Sequence, residues 1–249
     1  MRIPLACCLA LTAIPAFAQD SVVADKIRAA MASDVRSEAE VLRDANRMPV
    51  ETLTFFGLED DMRVLELLPG GGWYTKILAP VLREEGELHV AIGTSNVSEN
   101  LLTQSGFEHV NVVELDLEMP RTGPFRTREL GPFDFGIRDV DLVVTFRNMH
   151  NFTSGGRASI NAAVFDALKP GGLYGVIDHS RRHMAPISNE GRRRVDVVEI
   201  IKEVLDAGFE LVDWSDLHYR PDDELRYEVG RRTVTGNTDR FTLLFRKPG

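Results

Sequence analysis

Read for the spacing of apolar and polar positions, the chain divides into a helical lead-in and a long alternation of strand and helix patterns. From Ser21 to about Phe56 the period is helical: Val22, Val23, Ile27 and Met31 recur on one face, Val41, Leu42 and Ala45 follow a charged stretch, and Pro49 punctuates the run. Strands are then expected at 63–68, 87–92, 110–115, 140–146, 172–178, 209–215 and 240–246, with helices at 72–83, 97–105, 155–168 and 192–207. Such alternation predicts an α/β domain with a mainly parallel sheet. In the last helix Val195, Val198, Ile201 and Leu205 fall on one stripe, and Gly208 stands where the helix should stop. No helical pattern separates the final two strands, so a crossover is not available and the last one, "DRFTLLFRKP", should run antiparallel. Residues 118–139, 181–190 and 217–239 lack clear periodicity. Loops of that length usually carry function or are disordered, and at the carboxyl edge of the sheet they could overhang a cleft.

The N-terminus follows a different rule. "MRIPLACCLALTAIPAFAQDS" has a positive charge at Arg2, an apolar run from about Ile3 to Ile14, and Ala16-Phe17-Ala18 before Gln19, the pattern of a secretory signal with an A-x-A cleavage site. The expected division is a signal peptide over 1–18, the helical lead-in over 19–58 and one α/β domain over 59–249. The only cysteines, Cys7 and Cys8, leave with the signal, which excludes a cysteine nucleophile, a disulfide framework and a thiolate metal site from the processed chain. No later stretch approaches the roughly 18 to 20 apolar residues of a bilayer crossing. The processed protein is therefore expected to be soluble and exported, periplasmic or secreted, with no stable membrane insertion. The 38 acidic against 29 basic residues give a net charge of −9, so there is no general electrostatic reason to bind nucleic acid. Two local basic runs, Arg181-Arg182 and Arg192-Arg193-Arg194, read either as a solvated helix start or as an anionic-ligand site.

The chemistry concentrates in "RVLELLPGGGWYTKILAPVL", residues 63–82, a strand, a three-glycine turn and a helix. A phosphate loop would need G-x-x-x-x-G-K-S/T, and Thr75-Lys76 is in the wrong order. A dinucleotide fingerprint would need a third glycine or alanine where Thr75 stands, and an acid ending the second strand, which instead reads "HVAIG". What survives is Glu66 on the strand with Gly70 and Gly72 just before the helix. Glycines let backbone approach a ligand, a helix N-terminus suits a carboxylate, and Glu66 could attract an ammonium. An amino-acid tail carries both groups; a tight turn without a ligand is the competing reading.

"VLELLPGGGWYTKILAP", "VVELDLEMP", "DLVVTFRNMHNF", "ALKPGGLYGVIDH", "LDAGFELVDWSDL" and "NTDRFTLLFRKP" together resemble a class I S-adenosylmethionine-dependent methyltransferase, and more closely a group of predicted secreted bacterial methyltransferases. The resemblance covers about residues 35–248 in order. It implies a Rossmann-like seven-stranded sheet with an antiparallel last strand, helices on both faces, and S-adenosylmethionine as cofactor. It also implies that Glu66, Gly70 and Gly72 hold the methionine end and that Asp116 lies near the adenine; Trp73 and Tyr74, opening the first expected helix, read either as lining the cofactor pocket or as core packing. The sequence departs from the family at Leu68, where a first glycine is usual, and at Ala91-Ile92-Gly93, where a ribose-binding acid is usual.

Methyl transfer rewards alignment of the acceptor and removal of its proton. Asn148, His150 and Asn151 emerge at the end of the fourth expected strand, where an acceptor would face the cofactor. His150 reads either as that base or as a structural hydrogen-bonding group; the two asparagines either orient a ligand or cap the next turn. Asp178-His179 end the fifth strand, but neighbours on a strand point to opposite faces, which argues against their pairing. His179 and His183 have the spacing of a helical metal pair, yet "SRRHMAP" has no helical pattern, and no metal is expected. The expected function is methyl transfer to an unidentified small-molecule acceptor; the alternative is a non-catalytic protein that binds an adenosyl or other small ligand.

Overall fold

The computed structural model describes residues 16–249. The expected signal, with Arg2, Cys7 and Cys8, lies outside the described residues apart from 16–18, which open the first helix. Helix α1 (Ala16–Met31) leads into three short helices, α2 (Glu38–Val41), α3 (Asp44–Arg47) and α4 (Pro49–Phe55). Then come β1 (Arg63–Leu67), α5 (Thr75–Leu82), β2 (Glu87–Ala91), α6 (Ser95–Asn100), β3 (Asn111–Val112) and a small hairpin of β4 (Arg121–Thr122) and β5 (Thr127–Arg128). The chain continues through β6 (Val140–Phe146), α7 (Ser154–Ala167), β7 (Leu168–Arg181), β8 (Val195–Asp196), α8 (Val197–Asp206), β9 (Glu210–Ser215) and β10 (Arg240–Arg246).

The main sheet has the order β3-β2-β1-β6-β7-β10-β9, and two-residue β8 adds beside the far end of β7. Strands β2, β1, β6 and β7 pair in parallel, whereas β10 runs antiparallel to both β7 and β9. That is the antiparallel ending expected from the missing crossover. Central β1 is buried from Val64 to Leu67, as a strand covered on both faces must be. Alternation sends Val64, Leu142 and Val144 to a layer with Ile27 of α1, Phe56 at the end of α4 and Leu78 of α5. Leu65, Val143 and Tyr174 face the other layer, with Val164 of α7 and Val204 of α8. At Gly175 a Cβ would stand 2.7 Å from the Phe56 ring, so bare backbone is what lets Phe56 lie on β7.

Three expectations need correction. Helix α8 starts at Val197, not at Arg192, because Asp196 caps it by accepting from the Val198 N–H. Its buried stripe is Ile200 and Val204 with Val197 and Ile201 packed beside them, while Val198 and Leu205 are exposed. In the lead-in the core holds Val23, Ile27 and Ala30; Val22, Val41 and Leu42 face outward. The third strand shrinks to two residues. Among the described residues no helix is long and apolar enough to cross a membrane.

Candidate active site

Beyond β1 the chain turns sharply. Leu68 takes a left-handed φ of 53° and donates its N–H to Ala91 O at 2.8 Å. Gly70, at φ 60°, has open space around it, and Gly70 and Gly71 line a crevice of about 220 Å³. Gly72 does something else: a Cβ there would lie 2.4 Å from Leu101 Cδ2, so its bareness serves packing against the end of α6. Trp73 and Tyr74 precede α5 rather than open it, and both line the crevice. The Tyr74 ring stacks on Phe146 with centroids 3.5 Å apart.

Glu66 points from β1 toward the start of α5, where Thr75 Oγ1 donates to its Oε2 at 2.6 Å. Burial pushes this carboxyl up from the ordinary 4.5 to about 7, with the Thr75 hydrogen bond and Arg47 pulling the other way. Arg47 comes from the lead-in and is only 4% exposed, its guanidinium carbon 4.2 Å above the Trp73 ring. It has no carboxylate partner among the described residues, and burial together with Arg147 pushes it well below its ordinary value. Glu40 ties the lead-in down, accepting from Lys76 Nζ at 2.8 Å through its side chain and from Trp73 Nε1 at 3.1 Å through its carbonyl. The lead-in thus walls the crevice, a role its helical pattern did not suggest.

Strands β1, β2 and β6 each run into a left-handed non-glycine residue: Leu68, Ile92 (φ 61°) and Arg147 (φ 63°). Such conformations cost roughly 1 to 3 kcal/mol each and gather at functional edges. No acid stands at Ala91-Ile92-Gly93, and Asp116 is exposed and lines none of the three cavities around the site.

Beyond β6 a 3-10 turn, Met149–Asn151, delivers His150 against Asp178 at the end of neighbouring β7. His150 Nδ1 lies 2.6 Å from Asp178 Oδ1, and its backbone N–H donates to Oδ2 at 2.9 Å. In the tautomer whose Nδ1–H donates to that carboxylate, Nε2 is left as a bare acceptor. Two residue groups that the sequence presents separately are therefore one dyad. The ring of His179 does not pair with Asp178: its Nδ1 lies 2.9 Å from Thr238 Oγ1, its ring stands 5.7 Å from that of His150, and burial, with His150 adding to it, pushes it well below its ordinary value. His183 lies 2.9 Å from Asp196, so His179 and His183 do not converge. Asn148 belongs to the crevice, donating to Leu68 O at 3.2 Å and Phe146 O at 3.1 Å and bracing the glycine turn against β6.

Three cavities share walls. Arg43 and Arg147 separate the crevice from a middle chamber of about 580 Å³; His150, Asn151 and Arg193 separate that chamber from an arginine-lined cavity of about 870 Å³. All three aperiodic stretches supply walls, through the β4–β5 hairpin, Ile187, and Thr235 to Thr238. Arg194, far from being a solvated helix start, forms a fully buried pair with Asp223 at 2.9 Å and donates to Ser180 O and Tyr227 O.

The sequence matches no family model and no curated protein. Solved structures do match the fold. A SAM dependent methyltransferase from Aquifex aeolicus is 17% identical with a TM-score of 0.56, over 90% of this chain and 97% of that one. The [4+2]-cyclase SpnF is 15% identical with a TM-score of 0.56, over 82% of this chain and 80% of that one. Human N-acetylserotonin methyltransferase, in complex with SAM, is 16% identical with a TM-score of 0.53, over 94% of this chain and 58% of that one. At such identities likeness speaks for the fold, and the presence of a cyclase shows that the fold alone does not name the reaction. The chain has the Rossmann-like α/β fold of the class I S-adenosylmethionine-dependent methyltransferases.

Proposed function

We propose that the chain is an S-adenosylmethionine-dependent methyltransferase acting on a small-molecule acceptor. The observation that carries this reading is the opposed charge in the crevice: Glu66 on one wall and, on another, Arg47, which has no carboxylate salt bridge among the described residues. A buried cation without a counter-ion is costly, and an amino-acid tail would satisfy both residues at once, its ammonium at Glu66 and its carboxylate at Arg47. The residues present thus fit the methionine end. Gly70 and Gly71 allow close approach of backbone, Tyr74 and Phe146 form the floor, and Asn148 holds the turn in place. Asp116 is kept, on resemblance, as the adenine neighbour.

The cofactor, when bound, supplies an electrophilic methyl group on a sulfonium. This chain's own part is to hold the acceptor and move its proton. His150 Nε2 takes the proton of an acceptor hydroxyl or ammonium, Asp178 keeps the ring in the tautomer that can do so, and Asn151 orients the acceptor from the same turn. We also propose export, from the signal pattern over 1–18, and a place among the predicted secreted bacterial methyltransferases, with a lead-in over 19–58 and a catalytic domain over 59–249.

Calorimetric titration of the full chain with S-adenosylhomocysteine tests the first part. Binding is expected, weakened in both Glu66→Gln and Arg47→Ala; no binding would end the reading. A panel of hydroxyl and amine acceptors tests the second, with transfer lost in His150→Ala while cofactor binding persists. The absence of an acid beside Ile92 favours one rival, a binding protein that never turns over, and tight cofactor binding with no transfer to any acceptor would favour it.

A further inference from the structure

We propose that the arginine-lined cavity binds a small amphipathic anion, an apolar body carrying a phosphate or carboxylate group that Arg121, Arg126, Arg128 and Arg192 grip. Binding itself stands on the geometry below; naming the anion as the methyl acceptor rests on the methyltransferase reading.

The cavity, about 870 Å³, has the size of a small-molecule site. Eight arginines and two glutamates line it, in a chain whose net charge is −9. Local cationic excess in an acidic protein calls for a reason. Half of those arginines are accounted for: Arg157 pairs with Glu203, Arg181 with Glu199, Arg193 with Glu228 and Arg194 with Asp223. The other four have no carboxylate partner among the described residues.

The hairpin sets two of these cations face to face. Arg121 and Arg128 are register partners across β4 and β5, and like charges directly opposite each other destabilise a pair of strands. A two-stranded hairpin is marginal to begin with. Its turn adds Arg126 in a left-handed conformation, φ 54°. An anion between these cations would turn mutual repulsion into shared attraction, and guanidinium forks match the oxygens of phosphate and carboxylate. Phe125 at the hairpin tip, Phe152 and Ile187 supply an apolar wall for the body of such a ligand. His150 and Asn151 border the same space, so a hydroxyl or amine on that body would meet the proposed base.

The test is calorimetry on the full chain without cofactor, using phenyl phosphate, benzoate and, as the neutral counterpart, benzyl alcohol. At least one anion should bind tenfold or more tightly than benzyl alcohol; preference for phenyl phosphate identifies a phosphate group, and preference for benzoate a carboxylate. The Arg126→Gln/Arg128→Gln double variant should keep its melting temperature and lose tenfold or more in anion affinity. If that variant fails to fold, Arg192→Gln, at an exposed position, carries the same expectation. Equal binding of all three compounds, no binding, or anion affinity unchanged in the variants would overturn the proposal. A separate titration with S-adenosylhomocysteine keeps the two readings apart. Cofactor bound without anion removes only this inference, and anion bound without cofactor removes the methyltransferase reading and leaves the cavity standing.

Discussion

Glu66 is the residue where folding and the proposed function pull in opposite directions. Its folded value, about 7, lies above the ordinary 4.5, so its contribution to stability is fully present below about pH 4.5 and is lost as pH rises through 7. The ligand-free protein should therefore lose on the order of 3 kcal/mol across that window, and Glu66→Gln should abolish the loss. Thermal melts of both proteins at about pH 5 and pH 8 check this: the variant should gain on the wild type only at the higher pH. Under the proposed function cofactor binding should have the reverse dependence, because an ammonium needs the ionised form. S-adenosylhomocysteine affinity should rise roughly tenfold from about pH 6 to pH 8 in the wild type and stay flat in the variant. At this scale the sequence showed the acid and the glycines but not their division of labour. Gly70 faces the crevice while Gly72 faces Leu101, a distinction of direction that spacing cannot carry. His150 and Asp178 were each visible as strand-end residues; their union depends on β6 and β7 being neighbours, which is a property of sheet order.

At the scale of elements, the strand pattern was legible wherever a strand is buried on both faces, and β6 and β10 fall on their expected ranges, Val140–Phe146 and Arg240–Arg246. Amphipathic helices on the surface were harder. In α8 the apolar residues outnumber the buried positions, so the stripe read from Val198 and Leu205 competes with the one the core holds at Ile200 and Val204. Segment 217–239 offered no period at all, because polar contacts rather than apolar burial fix it. Its anchor is the Arg194–Asp223 pair, both side chains 0% exposed, with Asp223 also accepting from the Asp239 and Leu225 backbones. Removing one partner of a buried pair strands the other, at about 3 to 5 kcal/mol. Asp223→Ala should show that loss in urea melts, together with faster amide exchange confined to this segment and to 192–195.

Across the whole molecule, fold class and the antiparallel ending were legible because they follow from element order, and the solved structures match the fold. The site was legible only in its sheet-borne half. Glu40, Arg43 and Arg47 reach the crevice from a lead-in whose helical period says nothing about where its charged residues point, and the β4–β5 hairpin lies in a stretch with no period. What joins these parts is Arg147. One guanidinium belongs both to the crevice and to the middle chamber, so whatever enters either compartment alters the energy of the same cation. An anion on the far side would draw it away from the near one and make room there for a positively charged guest; by thermodynamic reciprocity the guest must return the favour in equal measure. Inorganic phosphate in the middle chamber should thus tighten S-adenosylmethionine binding several-fold, measured by calorimetry, and Arg147→Met should uncouple the two titrations. A protein built this way would count its ligands in pairs, idle with either alone.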